Sequence, residues 1–454
     1  MTDTGVEPDR VSGLLGEETE RFRATHPESA KLFERARSSL LGGVPMPWMT
    51  QWAGSYPVFV AEASGARFSD VDGNEYADFC LGDTGAMAGH APLATADALA
   101  RQSLEGTTLM LPTEDSVWVG EELERRFGLP FWQFALTATD ANRFVLRLAR
   151  AITDRPKVVV HSWCYHGTVD ETFAIYEDGA TRPRPGSIGA PVDPAVTTRA
   201  VEFNDVDALE EALAPGDVAC VLCEPALTNM GIVLPDAGYH DALRELTQRH
   251  GTLLVIDETH TICTGPGGYT RAHDLHPDFL TIGKPIAGGV PAAAYGMSRE
   301  VADRALADRR IAEESDIGGI GGTLSGNALS LAAVRATLES VLTDEAFDAM
   351  IALGKRFEEG AAGAIAAARL PWSVTRLGCR VEYHFTQQPP SSGAEAHAAV
   401  DHELERYLHL HALNRGILMT PFHNMALMCP ATSEEAVDLH TRAFTEALES
   451  LSAA

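Results

Sequence analysis

The spacing of hydrophobic and polar residues changes along this chain. Residues 16–41 have the spacing of a helix followed by a glycine turn, and residues 57–79 alternate in short runs broken by two further turns. These patterns predict a helix and then a small antiparallel meander. The chain after residue 324 is mostly helical, with a strand-like stretch at 374–385 and a final short strand within 416–429.

Between about residue 130 and residue 300, short apolar and β-branched runs alternate with helical segments. Such runs are typical of strands that are buried on both faces of a parallel sheet. The sequence predicts strands at 157–163, 218–224, 252–258 and 278–283, and helices at 140–152 and 237–250. It therefore predicts an α/β fold with a mostly parallel central sheet flanked by helices, in which ligands bind at the carboxyl ends of the strands.

Composition narrows the range of partners. The 454 residues are 45% hydrophobic, enough for a large interior, and their formal net charge is −29. An acidic surface repels nucleic acid and anionic membranes, so neither is expected as a partner. The chain has no apolar run long enough to span a membrane, and it begins without the pattern of a signal peptide, so we expect a cytoplasmic protein.

The cysteines do not predict a special site. Seven cysteines in a chain of this length are too few for a disulfide framework. Cys220 and Cys223 form a CxxC pair, but they lie in a predicted buried strand, and no second pair follows at the spacing of a zinc site. We interpret them as packed thiols and predict no metal site.

Lysine is rare in this sequence, which restricts any chemistry that needs an amine. Of the 35 basic residues only four are lysines, and only Lys284 follows a predicted buried strand and precedes a glycine-containing turn. Apolar and glycine neighbours disfavour the charged form of a lysine, so its amine can react with an aldehyde as a Schiff-base lysine. The alternative interpretation is a surface lysine that ends a strand.

Three other predicted strand ends carry polar groups. Asp257 ends an apolar strand, where its carboxylate either pairs with a protonated ring nitrogen or caps a helix. The stretch 137–140 (Thr-Ala-Thr-Asp) lies between a strand-like run at 131–136 and the predicted helix at 140–152. It offers hydroxyl and backbone N–H groups to a phosphate, as do many capped helix starts. Tyr165 can stack on a flat ring with His166 beside it, or both residues can belong to an ordinary loop.

Taken together, these groups predict one kind of ligand. A flat heteroaromatic aldehyde with a phosphate would react with the lysine and pair its ring nitrogen with the aspartate. Its ring would stack on the tyrosine, and its phosphate would lie at the helix start. These roles are expected around pyridoxal 5'-phosphate, the electron sink of amino-group chemistry, which is therefore the predicted cofactor.

An ordered series of motifs covers nearly the whole chain. The motifs are SLLGGV (39–44), DVDGNEYADF (70–79), GHAP (89–92), LRLARAITDRPKVVV (146–160), CYHG (164–167), EP (224–225), LLVIDE (253–258), DFLTIGKPIAGGVP (278–291), GTLSGNALSLAA (322–333) and LNRGIL (413–418). In these motifs the chain resembles the class III aminotransferases, which are fold type I pyridoxal-phosphate enzymes. It is most similar to the branch that holds glutamate-1-semialdehyde 2,1-aminomutase and the β-amino-acid aminotransferases.

The resemblance implies roles for particular residues. Lys284 corresponds to the Schiff-base lysine, Asp257 to the partner of the ring nitrogen, and Tyr165 to the stacking residue. Thr323 corresponds to a threonine that reaches the cofactor phosphate of the other subunit. The resemblance therefore implies a homodimer with a shared active site.

The resemblance also implies a domain organisation. A fold type I enzyme has a large cofactor-binding domain and a smaller α+β domain that is built from both chain ends. We assign residues 1–80 to an N-terminal segment with part of the small domain. Residues 81–325 are assigned to the large domain, and residues 326–454 to the C-terminal small domain.

The phosphate loop departs from the family pattern Ser-Gly-Thr-Glu-Ala. Ala138 stands where the family has glycine, and its methyl group occupies space where the backbone normally approaches the phosphate closely. Thr139 still offers its hydroxyl and its backbone N–H. Both residues are predicted to contact the cofactor.

The predicted substrate region departs further from the family. Residues 45–52 and 420–424 contain no arginine, although relatives carry an arginine in these segments to grip a substrate carboxylate. Arg380 is the remaining candidate for that contact, with Glu382 in a position to neutralise it. Aromatic residues are the candidate walls of an apolar pocket, or else plain core packing: Trp48, Trp52, Trp163 and Phe422.

We therefore expect a homodimeric aminotransferase. It would move an amino group between a primary amine or amino acid with a bulky apolar or aromatic group and a keto acid, ketone or aldehyde acceptor. Lys284 would move the proton, and Asp257 would keep the ring nitrogen protonated. An intramolecular 2,1-aminomutase of the glutamate-1-semialdehyde type needs the same residues and stays open. A non-catalytic binding protein on the same fold is a remote alternative, since Lys284 is retained where lysine is scarce.

Overall fold

The computed structural model describes residues 4–312 and 319–452. The chain divides into two compact units. The chain-end unit comprises Met1–Pro92, Asp348–Pro389 and Ala398–Ala454, and the central unit comprises Leu93–Phe347 and Pro390–His397. Both ends of the chain thus contribute to one unit, while the domain boundaries expected at residues 80 and 325 stay a prediction.

The central unit contains a seven-stranded sheet. Its strands in chain order are β1 (Phe131–Ala135), β2 (Lys157–His161), β3 (Thr198–Val201), β4 (Val218–Cys223), β5 (Leu253–Asp257), β6 (Phe279–Ile282) and β7 (Ala293–Met297). Their order across the sheet is β1-β7-β6-β5-β4-β2-β3. Neighbouring strands are parallel from β6 to β3, and β7 runs antiparallel to both β6 and β1.

The burial of these strands explains their composition. Every residue of β4, β5, β6 and β7 is buried, and the apolar side chains of these strands fill the interior on both faces of the sheet. The predicted mostly parallel α/β sheet is therefore confirmed. Strand β7 was not predicted, because its alanine and glycine residues lack the β-branched signal of the other strands.

Helices account for most of the remaining central unit. The α-helices there are Leu93–Glu105, Glu114–Phe127, Ala138–Thr153, Pro194–Thr197, Val206–Leu213, Tyr239–Arg249, Gly268–Ala272, Arg299–Ala307, Arg309–Ala312 and Ala328–Ser340, and the helices Asp344–Ala368 and Gly393–Ala398 cross the unit boundaries. Short 3₁₀ helices are Asp170–Thr172, Thr261–Thr264 and Lys284–Ala287, and a two-stranded hairpin consists of Ala174–Glu177 and Ala180–Pro183.

The described residues of the chain-end unit form two small sheets. One has the order Val60–Ser64, Arg67–Asp70, Glu75–Asp78 and Ile417–Leu418, and the other has the order Ser373–Leu377, Arg380–His384 and Met425–Leu427. Its further helices are Pro8–Thr25, Pro27–Ala36, His402–Leu413 and Glu434–Ser452, with 3₁₀ turns at Leu41–Gly43 and Pro47–Thr50. The predicted antiparallel meander within residues 57–79 is confirmed.

The helix predicted over residues 16–41 differs from the structure. Two helices, Pro8–Thr25 and Pro27–Ala36, meet at His26, whose φ of −128° and ψ of 45° are not helical. Pro27 causes this break, because proline restricts the residue before it and has no N–H to continue the helix. Among the described residues, no helix is long and apolar enough to cross a membrane.

Candidate active site

Four of the predicted site segments follow strands that point in the same direction. Strands β1, β2, β5 and β6 are mutually parallel, so their carboxyl ends lie at one edge of the sheet. Asp257 is the last residue of β5, and Lys284 follows β6 by two residues. The segments at 137–140 and 165–166 follow β1 and β2. The fold therefore places the predicted phosphate, ring and lysine segments at the ligand-binding edge of an α/β sheet.

Asp257 is buried and fully engaged in hydrogen bonds. Its Oδ2 accepts from His166 Nδ1 at 2.9 Å and from Asn142 Nδ2 at 2.8 Å, and its Oδ1 accepts from the backbone N–H of Thr259 at 3.0 Å. Burial alone would raise the pKa of this carboxyl, but the hydrogen bond and charge of His166, with the Thr259 and Asn142 contacts, lower it to about 2. Asp257 is thus held as a carboxylate.

His166 is the charged partner of Asp257. It is buried, and burial by itself disfavours an imidazolium. The neighbouring Cys164 and the hydrogen bond and charge of Asp257 outweigh burial and raise the pKa of His166 well above its ordinary value. The two side chains therefore form a buried ion pair within the central unit.

Asn142 was not identified from the sequence. Its amide donates to Asp257, and its Oδ1 accepts from the hydroxyl of Thr281 at 2.7 Å. Thr281 lies beside Asp257 in the register of β6 and β5. Asn142 lies one helical turn after Thr139 and is completely buried. The sequence feature that could have identified it is a polar residue on the apolar face of helix Ala138–Thr153.

Lys284 has an unusual backbone and a histidine neighbour. Its φ is +50°, a left-handed conformation that costs a non-glycine residue energy and is concentrated at functional sites. Its Nζ lies 2.8 Å from Nε2 of His260, a residue that sequence reasoning missed. The sequence feature that could have identified His260 is its position, only three residues after Asp257.

The start of helix Ala138–Thr153 is closed by its own side chains. The hydroxyl of Thr137 accepts from the backbone N–H of Asp140 at 3.2 Å and donates to the Asp140 carboxylate at 2.9 Å. Thr139 Oγ1 accepts from the backbone N–H of Thr168 at 3.1 Å, which joins the helix start to the segment after β2. Ala138 lies against Gly283, where an added Cβ would be 3.1 Å from the Ala138 methyl.

Gly167 allows the start of helix Ala138–Thr153 to contact the segment after β2, and its replacement by alanine should disturb that contact. Its φ is +76°, and a Cβ built there would lie 2.0 Å from Thr139 Oγ1. Gly167→Ala is expected to destabilise the chain by about 1–2 kcal/mol through left-handed strain and by about 1–3 kcal/mol more through overpacking. Thermal unfolding of the cofactor-free chain measures the loss, and cofactor titration should show weaker binding.

Gly179 provides a matched control. Its φ is also +76°, but an added Cβ would have no atom within 4 Å. Gly179→Ala should therefore show the strain alone, with cofactor binding unchanged. Equal losses in the two variants would contradict the contact between Gly167 and Thr139.

The aromatic residues after β2 differ in burial. Tyr165 is half-buried, with its ring centroid 6.4 Å from that of Phe173. Trp163 is buried, stacks on His397 at 3.8 Å and has the Arg184 guanidinium 5.4 Å from its ring centroid. Trp163 is therefore packed between two side chains of its own unit.

The chain-end unit holds Arg380 in a polar interior. Arg380 is buried; its Nη1 donates to the Thr84 hydroxyl at 3.3 Å, and its Nη2 lies 3.9 Å from Asp83 Oδ1. Glu382 is also buried and lies 3.4 Å from Nδ1 of His423. Burial would raise the pKa of Glu382, but His423, His384 and Arg380 lower it.

The remaining predicted residues are more exposed. Trp48 and Phe422 lie edge to face with ring centroids 5.4 Å apart, and both are partly exposed within the chain-end unit. Trp52 is half-buried in the same unit. Thr323 lies in an exposed turn of the central unit.

The donor set fits pyridoxal phosphate. A buried carboxylate with a pKa of about 2 can hold a protonated ring nitrogen. The amine of Lys284 is a group that can react with an aldehyde. A helix start with N–H and hydroxyl groups suits a phosphate.

Comparison with known proteins identifies the family. The model of the family described as Aminotransferase class-III matches residues 48–449. The chain belongs to the class III aminotransferase family. It is accordingly a fold type I enzyme with pyridoxal phosphate as its cofactor, and its α/β sheet and the small unit built from both chain ends agree with that fold.

Individual members of the class III family are similar over almost the whole chain. A glutamate-1-semialdehyde 2,1-aminomutase from Sorangium cellulosum (strain So ce56) is 36% identical over 93% of this chain and 96% of its own length. The crystal structure of a glutamate-1-semialdehyde-aminomutase from Pseudomonas aeruginosa PAO1 is 53% identical, with a TM-score of 0.96 over 98% of this chain and 100% of that chain. A lysine-to-alanine variant of it was solved in complex with PMP. A β-phenylalanine aminotransferase from Variovorax paradoxus is 27% identical, with a TM-score of 0.85 over 96% of this chain and 97% of that chain.

These comparisons correct the expected function. The prediction of an aminotransferase for bulky apolar or aromatic donors is wrong, because the relatives at 36% and 53% identity are aminomutases. The missing arginines in 45–52 and 420–424 concern one local contact, whereas the similarity to aminomutases extends over the whole class III chain. The comparisons therefore favour the aminomutase alternative.

Proposed function

We propose that this chain is a pyridoxal-phosphate-dependent 2,1-aminomutase of the glutamate-1-semialdehyde type. The observation that carries the proposal is the 53% identity over 98% of the chain with a structure described as that enzyme. Curated relatives with the same description, at 36% and 32% identity, support it. In the reaction, the amino group moves from C2 to C1 of glutamate-1-semialdehyde, and the product is 5-aminolaevulinate.

Lys284 and Asp257 would carry the chemistry. The cofactor supplies an electron sink for the carbon that loses a proton. Lys284 would hold the cofactor covalently and, once released, move that proton with its amine. Asp257, held ionised by His166 and Asn142, would keep the ring nitrogen protonated.

The other cofactor contacts follow from the same edge of the sheet. Ala138 and Thr139 would present the helix start to the phosphate, and Tyr165 would stack on the ring. His166 would act on the ring through Asp257, since its Nδ1 donates to that carboxylate. The absence of a side chain at Gly283 leaves room for the alanine methyl, because a Cβ added at Gly283 would lie 3.1 Å from it.

Substrate recognition needs a partner for one carboxylate. We assign this role to Arg380, a buried guanidinium with Thr84 and Asp83 as its neighbours. The aromatic side chains proposed as walls for the carbon chain of the substrate are Trp48, Trp52, Trp163 and Phe422. The assignments of the three residues that belong to the chain-end unit, Trp48, Trp52 and Phe422, rest on the sequence pattern and on their partial exposure.

A homodimer with a shared active site is part of the proposal. Exposed leucine and methionine side chains, several of them within residues 104–111, support an apolar interface, because large apolar side chains exposed on an isolated subunit can mark an interaction surface. Leu104 is 89% exposed, Met110 76% and Leu111 73%, and Leu324, next to Thr323, is 50% exposed. Thr323 would then reach the cofactor phosphate of the partner subunit. The cytoplasmic location expected from the sequence stays a prediction.

The proposal predicts a clear substrate preference. The holoenzyme, given glutamate-1-semialdehyde and no other amine or carbonyl compound, should form 5-aminolaevulinate over many turnovers. An arylalkyl amine with pyruvate should give a kcat/KM at least about 30-fold lower, because it lacks the carboxylate that a buried arginine binds. Coupled assays of both products measure the ratio.

One outcome of the same assay would contradict the proposed function. Efficient transfer from the arylalkyl amine, with no 5-aminolaevulinate from the semialdehyde, would reject the aminomutase proposal. Glutamate with pyruvate is the matched control, since it carries carboxylates but cannot isomerise.

A further inference from the structure

The amine of Lys284 has a different kind of neighbour from the other lysines. Lys31 and Lys355 lie near glutamate side chains, and Lys157 donates to a backbone carbonyl. Lys284 Nζ instead lies at hydrogen-bond distance, 2.8 Å, from the imidazole Nε2 of His260. Both residues are half-buried and belong to the central unit.

The backbone around His260 is fixed from both sides. Glu258, which is completely buried, accepts from the Thr261 hydroxyl and from the backbone N–H of Tyr269. The backbone carbonyl of Glu258 accepts a hydrogen bond from the backbone N–H of Ile262 at 3.0 Å, at the start of the 3₁₀ helix Thr261–Thr264. His260 is therefore held in a short rigid segment between Asp257 and this 3₁₀ helix.

Lys284 is equally constrained on its own side. It begins the 3₁₀ helix Lys284–Ala287 in a left-handed conformation, directly after the fully buried strand β6. Two rigid backbones thus bring one amine and one imidazole together. A 2.8 Å contact between them is a hydrogen bond that the fold imposes, unlike the ion pairs of long surface side chains.

We propose that His260 is a positioning residue for Lys284, which accepts a hydrogen bond from the Lys284 ammonium through Nε2. The proposal rests on the proposed role of Lys284 as the proton-moving amine. When Lys284 takes a proton from the substrate carbon, the C–H bond breaks, its electron pair stays with the carbon and a new N–H bond forms. The lone pair on Nε2 of a neutral imidazole then accepts a hydrogen bond from the ammonium, stabilises it and keeps Nζ in place.

Competitive labelling of the lysine amines tests the hydrogen bond without turnover. The full-length chain, freed of cofactor, is treated with trace acetic anhydride across a pH series, and acetylation of Lys284 is measured by peptide mass spectrometry. In His260→Leu, the pH at which labelling of Lys284 reaches half of its plateau should fall by about one unit, a tenfold change in the neutral fraction, because the ammonium has lost its acceptor. Normalising to the plateau separates this change from altered access.

Two further variants and an internal reference complete the design. His260→Gln should restore most of the wild-type midpoint, because its side-chain oxygen can accept the same hydrogen bond. His276→Leu removes a histidine that is 76% exposed and should leave Lys284 unchanged. Lys31, which is 70% exposed, serves as the reference amine in every digest.

Catalysis gives a second measurement. In the holoenzyme, His260→Leu should lower kcat about tenfold and change KM less than about twofold, with partial recovery in His260→Gln. An unchanged labelling midpoint in His260→Leu, or an equal shift in His276→Leu, would overturn the inference. If wild-type enzyme does not isomerise glutamate-1-semialdehyde but the midpoint shifts as expected, the proposed function fails and the inference about His260 stands.

Discussion

Replacement of Lys284 by alanine is expected to abolish turnover, by about 10³-fold or more, while the chain still binds cofactor. The amine is the proposed covalent attachment point and the proton-moving base, so both functions are lost at once. Phosphate and ring contacts would remain in Lys284→Ala. A lysine-to-alanine variant of the Pseudomonas aeruginosa relative was solved with PMP, which agrees with retention of cofactor in that protein. Product assays and equilibrium dialysis of the cofactor measure the two outcomes.

Lys157→Ala is the control for this prediction. Lys157 begins β2 and donates to the carbonyl of Ala195, so its loss should leave the active site intact. Borohydride reduction of the wild-type holoenzyme followed by peptide mapping should label Lys284. A stable label on Lys31, Lys157 or Lys355 would show that the assignment of the lysine is wrong.

Asp257→Asn is expected to keep the fold and lower kcat by about 10²-fold or more. The buried carboxylate would become a neutral amide, which cannot hold a protonated ring nitrogen, so the electron sink would weaken. His166 would also lose the negative charge that maintains its imidazolium. Steady-state kinetics measure the loss, and Asp241→Asn, an exposed change on helix Tyr239–Arg249, is the matched control.

The pH behaviour of this pair follows from the directions of its pKa shifts. Asp257 has its pKa lowered to about 2, so its contribution to stability is present above the ordinary aspartate pKa and is lost as the pH falls through about 2. His166 has its pKa raised, so its contribution to stability is fully present below the ordinary histidine pKa and is lost as the pH rises through the raised value.

Near-wild-type turnover in Asp257→Asn would contradict the proposed role of Asp257.

The strands could be predicted where their composition reflects burial on both faces. The runs that form β4, β5 and β6 are apolar because both faces of the central sheet are covered, and the sequence shows this directly. Strand β7 has small residues instead, so the same signal is absent. The break at Pro27 interrupts an otherwise continuous helical pattern, and the periodicity of apolar residues does not register it.

The parts of the candidate site that could be predicted are the single polar residues at the ends of strands. Asp257 and Lys284 are conspicuous because each is polar at the end of an apolar strand. Asn142 contacts Asp257 and His260 contacts Lys284, and these pairs are separated by 115 and 24 positions in the chain. Such partnerships depend on the packing of helix Ala138–Thr153 and of the segment after β5 against the sheet.

The expected substrate was wrong for a related reason. The absence of arginine from two segments shows that one local contact is missing, but Arg380 is buried with Thr84 and Asp83 in the folded chain-end unit. The sequence alone did not show that environment. The overall similarity to aminomutases therefore outweighs the local substitution.

The most direct test of the account follows the carbon skeleton through the reaction. Glutamate-1-semialdehyde enriched in carbon-13 at C1 is incubated with the holoenzyme, without another amine or carbonyl compound, and observed by nuclear magnetic resonance. If the chain is an aminomutase, the signal of the hydrated aldehyde carbon should convert to that of an aminomethyl carbon, with one 5-aminolaevulinate formed per substrate consumed and none in Lys284→Ala. Loss of the substrate amine without an aminomethyl signal would contradict the aminomutase assignment.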